Sequence, residues 1–582
     1  MDWARHYHLL AVRRSFKIVL KRMTCMGNKM PNDGQLKRGV KDDALVYSSD
    51  PGTLVNGQVW GLGAAEKTYA VNHFDAAVED KLFSYTPGRV VKNVFNKYES
   101  NEFQVACYYT DWSQYDSRYG NGPGDPSVNY SVGGRGTDAM RLQAMGPFDK
   151  IVVGFAGIIG DEGEKKPVID KAAIDFGIAS GPADLPNQRG KATFTDSWGD
   201  VLSYINCGFN SWVSNDAIAM FHPDRAQGLL GALVKLKRSK PDLRISLSLG
   251  GWTMSQAFHH IAKEPALRTV LALSLKRIVD AFPMFTDLDI DWEYPGVPGA
   301  PGNQFGPEDA PNFAALIREI KAHLPSMHLS IAVNAEPAKM AAADIPSLLA
   351  AGVEGLNVMC YDFFGTPWAE HLAHHTNLRG NPSDASQNSA TKAVDYLLSL
   401  GVAPKKIFLG YAAYSRNAQR ARIDGVSPLR GSYQPYPDQT TVGSFESGTT
   451  EWPDVLYQYM DFENQTGRNG FQLYTDTVAD ADFLYNSQSQ VFMSLDTPRS
   501  VKAKAEYARS KGLGGMFVWT GDGDSGLLTN AAREGLGCRV QQQVVDMAPF
   551  YFSGITGAEM VKEAFRNIGE TEPRELQSIT RR

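Results

Sequence analysis

The sequence predicts an α/β protein, because short apolar runs that favour strands alternate with stretches that favour helices. The strand-like runs lie at 105–109, 150–158, 244–252, 285–294, 328–336, 355–365, 406–415 and 514–522. Helical patterns such as 311–324 and 390–400 provide the crossovers that parallel strands need. Eight strand–helix units over about 420 residues predict a closed (β/α)8 TIM barrel with insertions. A doubly wound open sheet is the alternative, but the first strand lacks the GxGxxG turn that would favour it.

The remaining segments predict the domain organisation. We expect a disordered basic tail at 1–30, a small N-terminal module at 31–100, the barrel domain at 101–537 and a C-terminal tail at 538–582. Residues 159–235 are rich in Gly, Asp, Pro and Asn, which predicts a loop excursion over the barrel. The aromatic-rich interval at about 417–500 predicts an inserted α+β subdomain between strands 7 and 8. The helical pattern at 311–324 opens with Pro311, which suits the first position of a helix.

Composition narrows the function classes. The 582 residues carry a formal net charge of -6, which gives no electrostatic reason to expect nucleic acid as a partner. Cys107 and Cys360 lie in apolar runs and are expected to be core residues, and the cysteine spacing predicts neither a disulfide framework nor a zinc site. No apolar run reaches the ~18 residues of a membrane span. Charged residues interrupt the apolar stretch at 5–22, so it does not match a standard signal peptide.

The segment FTDLDIDWEY (285–294) is the most informative, because Asp287, Asp289, Asp291 and Glu293 occupy every second position. Alternate side chains of a strand share one face, and the apolar residues between the acids must face the helices, so the acids should point to the barrel axis. Crowded carboxyls cannot all ionise cheaply, so at least one should stay protonated and could serve as a proton donor. A solvated sheet face and a metal site are the alternative interpretations, although no nearby His–carboxylate cluster supports a metal.

Five motifs resemble those of the family 18 glycoside hydrolases and follow one another along the chain in the order expected for that family. TDLDIDWE (286–293) resembles the strand-four signature DxxDxDxE, with Thr286 in place of its first Asp and Asp287 in place of the usual Gly. The other four are SLGG (248–251) followed by Trp252, MCYDFFG (359–365), GYAAYSR (410–416) and GLGGMFVWTGD (512–522). The resemblance covers roughly residues 103–530 and agrees with the barrel predicted from the strand pattern.

The resemblance implies substrate-assisted, retaining hydrolysis, in which the N-acetyl group of the sugar attacks the anomeric carbon and no cofactor or metal is needed. It implies that Glu293 is the acid, that Asp291 orients the acetamide N–H and that Asp289 supports Asp291. It also implies that Tyr361 donates to the acetamide carbonyl and that Asp362 and Arg416 hold the sugar. Flat side chains can stack on pyranose rings, and the candidates are Tyr108, Phe155, Trp252, Tyr294, Tyr361, Tyr414 and Trp519, with Met359 as part of the wall.

Longer stretches at 282–296, 361–378 and 475–508 resemble the chitinase subunits of insecticidal toxin complexes from insect-associated enterobacteria. This resemblance implies an endo-acting chitinase that binds chitin or chitooligosaccharides and acts outside the cell, released without a standard signal peptide. It also implies large toxin subunits as partners, with residues 31–100 and the C-terminal tail as candidate docking surfaces. A catalytically silent chitin-binding lectin, a structural toxin subunit and an endo-β-N-acetylglucosaminidase are the alternatives.

Overall fold

The computed structural model describes residues 94–115, 137–366, 368–434, 448–468 and 470–557. The predicted tail at 1–30, most of the module at 31–100 and residues 558–582 lie outside the described residues. The domain boundaries therefore stay predictions. No helix in the described part of the chain is long and apolar enough to cross a membrane.

Eight parallel strands close into a barrel, which confirms the predicted fold class. They are β1 (Gln104–Thr110), β2 (Lys150–Ile158), β3 (Arg244–Gly250), β4 (Asp287–Asp291), β5 (His328–Asn334), β6 (Gly355–Met359), β7 (Ile407–Ala412) and β8 (Gly515–Trp519). Each strand pairs with its neighbours in chain order, and β1 pairs with both β2 and β8. This closure leaves no open edge and brings the carboxyl ends of all eight strands to one mouth.

The longer helices are α1 (Lys166–Asp175), α2 (Gly228–Ser239), α3 (Gln256–Lys263), α4 (Pro265–Ala281), α5 (Asp309–His323), α6 (Pro337–Ala343), α7 (Ile345–Ala351), α8 (Ala390–Ser399), α9 (Pro498–Ser510) and α10 (Leu527–Gly535). Two details differ from the predictions. The interval 159–235 is not only a loop excursion, because it contains α1 and the first part of α2, whose apolar residues the Gly-rich surroundings obscured. Pro311 is the third residue of α5 and not the first; its missing N–H costs nothing there, since the first turn has no intrahelical acceptor.

The alternating acidic and apolar residues of β4 face opposite sides of the strand, as predicted. Leu288 and Ile290 are buried in the apolar layer between sheet and helices. Just beyond β4, the Trp292 ring stacks on Phe258 of α3 with centroids 5.4 Å apart, and contacts Phe313 of α5 at 5.2 Å. These apolar contacts fix the strand's register, because a one-residue slip would exchange the two faces. The acidic side chains are thereby directed into the barrel.

The predicted insertion between β7 and β8 contains a five-stranded antiparallel sheet. Its order is Thr449–Glu451, Tyr414–Ala418, Val491–Leu495, Ala481–Asn486 and Gln472–Asp476. Only Ala413 separates β7 from Tyr414–Ala418, so the barrel passes directly into this sheet. A fully buried ion pair between Lys504 of α9 and Asp496 lies where the sheet returns to the barrel.

Candidate active site

The predicted site residues meet at the carboxyl mouth of the barrel. Asp289 and Asp291 lie on β4, and Glu293 lies two residues beyond its end. Tyr361 follows β6 by two residues, and Trp519 ends β8. Loops at this end carry the chemistry in barrels of this class, so the placement is the one expected of an active site.

Asp289 is fully buried, and its carboxylate is saturated with hydrogen bonds. Tyr108 Oη and Ser248 Oγ donate to Oδ2 at 2.8 and 2.9 Å. Ser330 Oγ and Asn357 Nδ2 donate to Oδ1 at 2.6 and 3.0 Å. Four donors from four different strands hold the carboxylate in one orientation beneath Asp291.

Asp291 has a contrasting environment. It is 4% exposed, and its Oδ1 has no hydrogen-bond partner among the described residues. Burial raises the pKa of Asp291 well above its usual range, and the charges of Glu293 and Asp289 raise it further. An unpartnered buried carboxyl is unfavourable when ionised, so Asp291 is suited to hold a proton until a ligand supplies a partner.

Glu293 is 8% exposed, and burial raises its pKa to about 7. A hydrogen bond from Tyr294 opposes this rise, as does the charge of Lys339, whereas Asp362 adds to it. The backbone is fixed on both sides, because Ser255 Oγ accepts from Glu293 N–H at 3.0 Å and Asn303 Nδ2 donates to Glu293 O at 2.9 Å. A carboxyl with a pKa near 7 can both donate and accept a proton at neutral pH.

Asp362, Tyr414 and Arg416 form a second polar cluster across the mouth. Tyr414 Oη and Arg416 Nε each donate to Asp362 Oδ1 at 2.7 Å. Desolvation raises the pKa of Asp362, but the charges and hydrogen bonds of Arg416 and His375 together lower it more, so the pKa lies well below its usual range. The buried His375 ring accepts the Asp362 N–H at Nδ1 over 3.3 Å. Asp362 is therefore a fixed anion with its side chain 38% exposed.

Aromatic rings line the space between these clusters. The Phe155 and Trp519 rings stack with centroids 5.7 Å apart, and Tyr108 lies 5.5 Å from Trp519. Tyr361 lies 6.1 Å from Tyr414 in an edge-on arrangement. The half-buried Met359 packs into the same cluster.

Trp252 forms a separate contact, 6.4 Å from the Tyr294 ring, and it is 49% exposed. Its indole face is therefore available to a flat ligand beside Glu293, whereas the cluster around Trp519 lines the base of the mouth. The structure thus brings the thirteen predicted residues into four adjacent groups: the acidic strand, the Asp362 cluster, the aromatic lining around Trp519, and the Trp252–Tyr294 pair.

Asp287 is apart from these groups. It lies at the amino end of β4, where Arg244 Nε donates to Oδ2 at 3.2 Å and Arg244 Nη2 makes a second contact with Oδ1. Thr286 Oγ1 also donates to it at 2.6 Å. Asp287 is therefore a charge-compensated support at the floor of the barrel.

Sequence reasoning missed several residues that hold the site, above all Ser330, Asn357, Ser255 and His375. Ser330 and Asn357 are single polar residues inside the apolar runs of β5 and β6. A polar residue facing a crowded barrel axis needs a partner there, and this was the available signal. Ser255 and His375 lie in loops, where the sequence carries no such signal.

Comparison with known proteins agrees with this geometry. The family model for glycosyl hydrolases family 18 matches residues 104–524. The chain is 45% identical to Chitinase 1 of Yersinia entomophaga over 519 residues, covering 87% of this chain and 94% of that protein. It is 37% identical to Chitinase 2 of the same organism over 523 residues, covering 84% and 81%.

A solved structure is similar over the same region. The crystal structure of the chitinase Chi1, fitted into the three-dimensional structure of the Yersinia entomophaga toxin complex, matches with a TM-score of 0.76 and 44% identity. The match covers 87% of this chain and 99% of that one.

Proposed function

Since the chain belongs to glycosyl hydrolase family 18, we propose that it is a chitinase that cleaves β-1,4 linkages between N-acetylglucosamine units. The observation that carries the proposal is Glu293, a buried carboxyl with a pKa raised to about 7 at the barrel mouth. The relatives that are 45% and 37% identical to this chain over the aligned residues are named chitinases, which supports the substrate.

The geometry suits a reaction in which one enzymatic carboxyl acts twice. Glu293 donates its proton to the leaving glycosidic oxygen, and then accepts a proton from the attacking water. The acetamide oxygen of the substrate attacks the anomeric carbon as the protonated glycosidic oxygen leaves, and the water then displaces that acetamide oxygen, so two inversions retain the configuration. Asp291 binds the acetamide N–H and stabilises the positive charge that develops, which gives its unpartnered Oδ1 a partner.

The remaining predicted residues hold the sugar. Tyr361 donates to the acetamide carbonyl, while Asp362 and Arg416 bind sugar hydroxyls from the other side. Asp289 positions Asp291 from below through its four hydrogen bonds. Trp519 and Trp252 offer ring faces to successive pyranose rings.

A relative whose structure was fitted into a toxin complex supports a second part of the proposal. The chain acts outside the cell as an endo-acting subunit of such a complex. Size-exclusion chromatography of the full chain with purified large subunits of its own toxin complex tests this part. Co-elution is expected, and elution of the chain as a free monomer at micromolar concentrations contradicts it.

Hydrolysis of a fluorogenic chitobioside by the wild type and by Glu293→Gln tests the chemistry. The variant should lose on the order of 10²–10⁴-fold in kcat, because a positioned general acid contributes that much. Glu264→Gln, an equivalent change at an exposed glutamate, is the matched control and should retain wild-type activity. Chitin binding without hydrolysis by the wild type would indicate a lectin. Release of glycans from a high-mannose glycoprotein, with chitin oligomers left intact, would indicate an endo-β-N-acetylglucosaminidase.

A further inference from the structure

Lys150 is a buried cation inside the barrel that the proposed reaction does not use. It begins β2, is 4% exposed, and directs its side chain toward the axis beneath the acidic strand. Its Nζ lies 3.4 Å from Ser330 Oγ and 3.8 Å from Asp287 Oδ1. Burial lowers the pKa of Lys150, whereas the charges of Asp287 and Asp289 raise it. Burying an ammonium group lowers the stability of the fold unless the charge is compensated, so the position of Lys150 indicates a functional role.

Asp287 does not fully neutralise this cation, because Asp287 is already paired. Arg244 contacts both of its carboxylate oxygens, and this two-point contact is the stronger pairing. His328 Nδ1 also lies 3.5 Å from Asp287, but burial and then Arg244 lower the pKa of His328, which makes the imidazole neutral. Two cations and one anion therefore leave the floor of the barrel with one net positive charge.

Lys321 and Glu354, which lie next to His328, do not change the net charge at the floor of the barrel. Glu354 accepts from Lys321 at 2.9 Å, and Glu354 lies 3.3 Å from His328 Nε2. Lys321 and Glu354 therefore compensate each other at the outer side of β5. Neither of them contacts Lys150 among the described residues.

Ser330 connects Lys150 to Asp289. Its hydroxyl donates its only hydrogen to Asp289 Oδ1 at 2.6 Å, so an oxygen lone pair is left to accept from Lys150. The other described partners of Asp289 are neutral, namely Tyr108, Ser248 and Asn357. One hydroxyl thus separates the ammonium from a carboxylate that neutral donors surround.

We propose that Lys150 is a positioning residue: through Ser330, its charge orients Asp289 beneath Asp291 and sets the pH range over which the acids above it act. This inference rests on the proposed function. Asp287 has the opposite effect to Lys150. It occupies the position where the family motif has glycine, and its negative charge reduces the net charge at the floor of the barrel from two positive units to one. The two residues therefore set the field beneath the catalytic strand with opposite signs.

Single variants at Lys150 and Asp287 should shift the pH dependence of kcat/KM in opposite directions. Lys150→Met removes the net positive charge, which makes ionisation of every carboxyl above it harder. Both limbs of the kcat/KM profile should move to higher pH by about one to two units, because a unit charge at about 6–12 Å changes a pKa by that amount at an effective dielectric constant of about 20. Asp287→Asn adds one net positive charge, so both limbs should move to lower pH.

The experiment is a double-mutant cycle on the full chain, with kcat/KM on a chitooligosaccharide measured from pH 4 to 10. Lys150→Met is expected to shift the profile upward, Asp287→Asn downward, and the double variant, which keeps Arg244 as the single net charge, to return near the wild-type profile. Lys150→Arg should shift the profile less than Lys150→Met, because it keeps the charge. A purely structural role would lower activity in every variant without opposite shifts.

The outcomes separate this inference from the proposed function. No hydrolysis by the wild type would overturn both. Hydrolysis with a profile that is unmoved in Lys150→Met, or that moves in the same direction in both single variants, would overturn the inference alone. If Lys150→Met does not fold, as judged by circular dichroism, Asp287→Asn decides by itself: a downward shift supports the inference, and an unchanged profile overturns it.

Discussion

The buried ion pair between Lys504 and Asp496 gives a quantitative prediction for Lys504→Met. Both side chains are fully buried, and Lys504 Nζ lies 2.8 Å from both carboxylate oxygens of Asp496. Removing one partner of such a pair costs about 3–5 kcal/mol, because an uncompensated charge remains. Thr376 Oγ1, Ser500 Oγ and the Ala412 N–H still donate to Asp496, so we expect the lower end, about 3 kcal/mol.

Urea denaturation followed by circular dichroism measures this loss. The double variant Lys504→Met with Asp496→Asn also removes the unpaired negative charge of Asp496. It should therefore recover at least half of the lost free energy of unfolding at pH 8. A loss below 1 kcal/mol at pH 8, or a double variant less stable than the single one, would refute this account of the pair.

Two further predictions concern activity. The alkaline limb of kcat/KM should lie near pH 7, because Glu293 must be protonated to act and its pKa is raised to about 7; a limb below pH 5 in a pH–rate series would contradict the assignment. Trp252→Ala should raise KM for chitooligosaccharides about 10-fold, equivalent to about 1.4 kcal/mol, with little change in thermal midpoint, since the indole is half exposed. Unchanged KM in steady-state kinetics would show that the ring does not contact substrate.

The barrel was predictable because each strand is a short apolar run, which strands buried on both faces require. The β4 segment was predictable to the level of side-chain direction, since Leu288 and Ile290 alternate with the acids. The helices within 159–235 were missed because turn-forming residues surround them. The turn-forming composition of the interval was given more weight than the helical spacing of apolar residues in α2. That spacing places these residues on the buried face of the helix.

The placement of the candidate residues at the barrel mouth was predictable where they lie at or just after strand ends, as with Glu293, Tyr361 and Trp519. The supporting hydrogen bonds were not, because Ser330 and Asn357 reach Asp289 across 41 and 68 residues of sequence. Nothing local marks such partners; they follow from the circular order of strands. The pairing of Asp287 with Arg244 has the same origin, over 43 residues.

The place of Arg416 has a consequence for how this scaffold can diversify. Arg416 belongs to the first strand of the inserted sheet, yet it binds Asp362 at the end of a barrel strand. Two parts of the proposed site, the acids of the β4 segment and Arg416, are thus encoded in separable stretches of the gene. Exchange of the insertion between homologues would therefore alter the surroundings of Asp362, while β4 and its acids are inherited unchanged.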